Sequence, residues 1–139
     1  MGSVNPSKEQ IAGMMASAGE SGAINMINLL RFRTKADYPA DHACARENLS
    51  GEAAYQRYMA GTTPHIGKVG ARVVWAGSPS LVVIGPSEER WDMAFIVEYP
   101  SVAAMLSMLG DADYLQVAIH RTAAVEDSRL IRCTPRALG

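Results

Sequence analysis

The sequence predicts one α+β domain with the element order β-α-β-β-α-β. Three features carry that expectation. Strand-length apolar runs occur at 24–33, 71–85, 91–100 and 124–133. Two helical segments, 50–68 and 101–121, open on serine caps and contain helix-stopping glycines. Their order is that of a split βαβ unit, the ferredoxin-like arrangement, whose antiparallel sheet has strand order 4-1-3-2.

Size and charge agree with this. At 139 residues, 48% hydrophobic and 19% charged, the chain suits one globular domain with a real core. The formal net charge is −1 and the 13 Lys/Arg are scattered, so no partner of the nucleic-acid or acidic-membrane kind is expected. No apolar run approaches the ~20 residues that span a bilayer. The opening "MGSVNPSKEQ" lacks the basic-then-apolar layout of a secretory signal. Cys44 and Cys133 have neither CxxC nor metal-type spacing and read as free thiols, so a cytoplasmic location is expected.

In chain order, Ser7 caps a helix over "SKEQIAGMMASA", stopped by Gly19. Residues 1–22 thus form an accessory N-terminal helix before the main domain, 23–135. After the strand at 24–33, the polar stretch "TKADYPADHACAREN" is a long loop with room for one helical turn, long enough to cover something. Ser50 caps the first domain helix, with Glu52 in its first turn. Gly61 and the Thr63–Pro64 pair predict a kinked helix or a helix pair up to 68, closed by Gly70.

Extended structure follows at 71–77 and 81–85, with "GSPS" between. A full hairpin there forces an awkward return for the strand at 91–99. A bulge at 78–80 in one bent edge strand is therefore expected. Ser101 caps "VAAMLSML", Gly110 ends it, and Asp111 caps "ADYLQVAIHR" before the last strand.

The strand patterns predict more than a sheet. In 24–33, Ile24, Met26, Asn28, Leu30 and Phe32 share one face, and Ile27, Leu29, Arg31 and Arg33 the other. In 91–99, Met93, Phe95 and Val97 oppose Ala94, Ile96 and Glu98. A half-solvated antiparallel sheet alternates apolar and polar cleanly, and this one does not. The domain helices cover one face. The other is expected to meet the sheet of a second copy, giving a homodimer closed into a two-chain barrel.

The topology brings Arg31 and Arg33 near Asp92, Glu126 and Asp127. Two readings apply: ion pairs closing the sheet end, worth ~0.2–1 kcal/mol each, or an arginine presented to a carboxylate ligand at the barrel mouth.

"INLLRFR" at 27–33, "GARVVWAG" at 70–77, "LVVIGP" at 81–86, "WDMAFIVEYPS" at 91–101 and "HRTAAVEDSRLI" at 120–131 together resemble domain-of-unknown-function family 1330. The resemblance runs from about residue 24 to 133 and implies the dimeric α/β-barrel superfamily. That superfamily includes cofactor-free monooxygenases, lactone isomerases, haem peroxidases and stress-associated proteins. The family itself offers no catalytic residues to transfer.

Candidate site residues come from the chain's own chemistry. His42 reads as a surface residue. His65 follows Pro64, and His120 ends the last helix, where a cation suits the dipole. No HExxH, nucleophile elbow or phosphate-binding glycine loop is present, so no metal and no cofactor are expected. If the protein is an enzyme, it acts on a small, partly apolar molecule held between sheet and helices. Asn28, Arg31, Trp75, His65 or His120 would orient it, and Glu98 or Asp127 would serve as base. By superfamily analogy the reaction is a cofactor-independent oxygenation or isomerisation. The alternative is a non-catalytic dimer that binds a metabolite or a protein partner.

Overall fold

The computed structural model describes residues 2–139. Alternating side chains make Ile24–Phe32 the first strand, β1, with Ile24, Met26, Asn28 and Leu30 buried on one side. β1 pairs antiparallel with β3 (Met93–Tyr99) and with β4 (Val125–Cys133). β2 (Arg72–Gly77) adds to the far edge of β3, giving the sheet order β2-β3-β1-β4. This is the expected 4-1-3-2 order read from the other side.

Four helices accompany the sheet: α1 (Lys8–Ala16), α2 (Gly51–Lys68), α3 (Val102–Leu109) and α4 (Ala112–Ala124). Each begins where the sequence offers a side-chain acceptor, from Ser7, Ser50, Ser101 and Asp111. Ser7 and Gln10 complete a reciprocal capping box. Among the described residues no single helix is long and apolar enough to cross a membrane.

α2 is one continuous element with Pro64 inside it, so of the two alternatives the sequence offered, the helix pair does not form. Thr63 does not cap a second helix; its hydroxyl donates to Met59 O at 2.8 Å within the same one. Gly61 has another role. A Cβ there would lie 2.8 Å from Val117 Cγ1, so the missing side chain lets α2 and α4 approach closely.

The edge strand also departs from expectation. β2 ends at Gly77, and residues 81–85 are not a strand. The cause is the length of the partner. Gly77 already pairs with Ala94, and β3 has only Met93 beyond it, so a longer β2 would find no ladder. Pro79 adds a residue without an amide donor. Leu81, Val83 and Ile84 are left 80%, 83% and 95% exposed. A bulge exists, but between Val73 and Trp75 and not at 78–80. A second register shift, at Arg31/Phe32 opposite β4, places Glu126 and Asp127 together against Arg31.

The sheet's inner face meets the helices in two apolar clusters. One joins Ile24, Met26, Val97 and Tyr99 to Val102, Met105, Met108 and Tyr114. The other joins Leu30 to Ala54, Tyr55, Ala124 and Val125. α1 lies on this same side: Met14 packs on the first cluster, and Arg132 donates to Ser17 Oγ at 2.6 Å. Among the described residues the outer face receives no helix. Across it the register aligns Trp75, Ile96, Ile27 and Ile131 in one row over all four strands.

Candidate functional site

Between the inner sheet face and α2, α3 and α4 lies a cavity of about 350 Å³. Helical spacing on α2 turns Tyr55, Tyr58, Thr62 and Ile66 toward it, at intervals of three and four residues. The sheet contributes Met26, Asn28, Phe95 and Val97, and α3 adds Met105 and Met108. The wall is mostly apolar, with a few polar groups converging on it, as small-molecule pockets are generally built.

Those polar groups are specific. Asn28 is 8% exposed and donates from Nδ2 to Met26 O at 3.1 Å. The hydroxyls of Tyr58 and Tyr114 are 2.8 Å apart. Burial holds the phenols of Tyr55, Tyr99 and Tyr114 well above the ordinary tyrosine range, so all three stay neutral. Thr62 Oγ1 is buried with no hydrogen-bond partner among the described residues. Arg121 closes one side, and among the described residues no Asp, Glu or His lines the cavity.

Of the residues nominated from sequence, only Asn28 reaches this cavity. Trp75 does not, because the bulge after Val73 reverses strand parity. Val73 pairs with inward-facing Val97, but Trp75 pairs with Ile96 on the outer face, where its ring lies over Gly77. Glu98 is also on the outer face, with its Oε1 3.2 Å from Arg72 Nε. Arg31 is there too, with Nε 3.0 Å from Glu126 and a guanidinium nitrogen 3.6 Å from Asp127. Asp127 accepts from the Ser3 amide at 2.9 Å, and that bond leads in holding its carboxyl below the usual range. The ion-pair reading of this sheet end therefore matches the geometry. Asp92 does not join it; its carboxylate caps β1 by accepting from Phe32 N at 2.8 Å.

The histidines fall elsewhere. His65 stands edge-on to Tyr114, with ring centroids 6.0 Å apart. His120 belongs to a second cluster, under the long loop that the sequence expected to cover something. A short helical turn, Ala43–Arg46, forms there, and Tyr38 stacks on His42 at 4.8 Å. Tyr38 Oη and His120 Nδ1 are 2.6 Å apart. Burial above all pushes Tyr38 up to about 12 and pulls His120 down from its usual value, which favours the neutral form of both partners. Arg57 bonds Cys44 Sγ at 3.2 Å and pairs with Glu47 at 2.8 Å. His42 is not a free surface residue: its Nδ1 accepts from the Cys44 amide at 3.0 Å. Among the described residues no three His, Cys, Asp or Glu side chains group as a metal set.

Fold and cavity together define a ferredoxin-like α+β protein with a roofed, apolar inner pocket. Residues 42–132 match the family described as a domain of unknown function, DUF1330, and the chain belongs to that family. The match begins after β1, so the strand bearing Asn28 lies outside it. A protein of unknown function from Rhodopseudomonas palustris, RPA0582, is 42% identical, with a TM-score of 0.89 over 99% of this chain and all of its own. The methylated RPA0582 structure gives a TM-score of 0.90 at the same identity, over 99% of this chain and 98% of that one. A dimeric ferredoxin-like protein of unknown function from Bacteroides fragilis shares the fold at 13% identity and a TM-score of 0.50, covering 81% of this chain and 96% of that chain. No curated protein matches the chain.

Proposed function

We propose that this chain is a homodimeric α/β-barrel protein that binds a small, partly apolar molecule in its inner cavity. The observation that carries the reading is the cavity itself. A void of about 350 Å³ walled by apolar side chains, with Asn28, Thr62 and two tyrosine hydroxyls, is what such a ligand requires. The dimer rests on the outer row of Trp75, Ile96, Ile27 and Ile131. The Arg72–Glu98 pair lies on one side of it and the Arg31–Asp127 pair on the other, an apolar core with a charged rim. The Bacteroides fragilis relative in fold is described as dimeric, which agrees.

A second reading, cofactor-independent oxygenation or isomerisation, has one specific support. In the Tyr58–Tyr114 hydroxyl pair one O–H donates to the other oxygen, which leaves the second O–H to donate to an oxyanion developing in the cavity. Glu98 and Asp127 are too remote to act as its base, since both lie on the outer face. The binding reading is tested by thermal shift against small carboxylates, phenols and their neutral analogues. Stabilisation by members of the panel supports it. A flat response across the whole panel contradicts it.

A further inference from the structure

We infer that the cavity's ligand is an apolar monocarboxylate whose anionic end seats against Arg121. The inference rests on the small-molecule reading above and specifies the chemistry of one end of the ligand. Arg121 projects from the last turn of α4, half buried, and forms part of the cavity wall. One guanidinium nitrogen donates to Val4 O at 2.7 Å, and the other donates to Ser128 Oγ at 3.3 Å. Both acceptors are neutral. Arg31, Arg57, Arg72 and Arg129 each have a carboxylate partner, whereas among the described residues no carboxylate reaches Arg121; Arg33, Arg46, Arg90, Arg132 and Arg136 lack one too, but none of them lines the cavity.

A half-buried cation without a counter-charge keeps part of its desolvation cost uncompensated. A carboxylate at that position removes the deficit and forms charge-assisted hydrogen bonds. The bonds to Val4 and Ser128 hold the guanidinium in place while leaving some of its five N–H donors unused. Burial raises the Tyr55 and Tyr114 phenols, and the Arg121 charge pulls against that rise in both. The cation and the neutral phenols therefore share one space. The remaining wall is mostly methionine, aromatic and aliphatic, which suits an apolar body. At about 350 Å³ the void is roughly twice the ~150 Å³ cavity that accepts benzene, enough for a ring with a short chain or a medium alkyl chain. A ligand amine would meet like charge at Arg121, and a second carboxylate would face an apolar wall.

The test compares acids with their primary amides, which match in shape and lack the charge. Hexanoate, octanoate, 3-phenylpropionate and 2-naphthoate, each beside its amide, are titrated into the full chain by calorimetry. The expected result is at least a tenfold preference for the acid in every pair that binds. That preference falls below threefold in Arg121→Gln and is partly kept in Arg121→Lys. Equal affinity for acid and amide overturns the inference while leaving the cavity-binding reading intact, and so does an acid preference that survives in Arg121→Gln. Binding by neither series contradicts both. Should Arg121→Gln fail to fold, having lost its hold on Val4, the acid–amide comparison in the unaltered chain decides alone.

Discussion

In the proposed dimer, replacing Trp75 with alanine separates the stability of one subunit from that of the pair. The ring lies on the outer sheet face over Gly77, with no helix above it. Trp75 is 54% exposed, so of the ~250 Å² a tryptophan can bury, about 130 Å² remains for a partner to cover. At ~25 cal/mol per Å² this is about 3 kcal/mol per ring, and a twofold axis brings two rings, giving about 6 kcal/mol for the dimer. At 1.4 kcal/mol per tenfold, the dissociation constant of Trp75→Ala rises by roughly four orders of magnitude. Sedimentation velocity over a dilution series measures it. Far-UV circular dichroism should be unchanged, because the ring is not part of either core cluster. A variant that dimerises within tenfold of the parent would refute the reasoning, since the outer row would then not be the interface.

Three further outcomes follow from particular contacts. Gly51→Ala sets a Cβ against the Arg33 carbonyl oxygen and 2.7 Å from Ala124 O, where only backbone can yield; a loss of about 3 kcal/mol is expected by chemical denaturation. Thr62→Val removes a buried hydroxyl that has no partner among the described residues; the ligand-free melting temperature should hold or rise, by up to ~1 kcal/mol of stability. His120 is held below its ordinary value of 6.5 chiefly by burial, so the unfolded chain takes up this proton first as pH falls. Its contribution is whole above pH 6.5 and is lost as the pH drops below that value. His120→Asn should therefore show a smaller fall in melting temperature than the parent between pH 7.5 and 5.5.

Much of this fold was legible because strand parity leaves a direct trace in sequence. The alternation in β1 put Asn28 and Arg31 on opposite faces, and the register agrees; which face the helices cover was not in the strand, so Arg31 was nominated for a pocket that it turns away from. Trp75, nominated as an aromatic on the edge strand, falls on the outer face because one inserted residue after Val73 turns every later side chain over, and "RVVWAG" carries no mark of that insertion. The "LVVIG" run reads as a strand by composition. Whether it pairs depends on how far β3 extends, which its own residues do not encode. The cavity's tyrosines were within reach: Tyr55, Tyr58, Thr62 and Ile66 share one helical stripe. Arg121 was not, since a cation in a last helical turn looks like an ordinary dipole partner until its lack of a carboxylate is seen in space.

The claim that a ligand occupies the space between sheet and helices can be tested at the atoms concerned. Five methionines, Met26, Met59, Met93, Met105 and Met108, line that cavity, while Met15 is 62% exposed on α1. Methyl NMR of carbon-13-labelled methionine, recorded during titration with the tightest-binding acid of the series, should shift the cavity signals together and leave Met15 in place. Movement confined to Met15, or no movement at saturating ligand, would contradict the account.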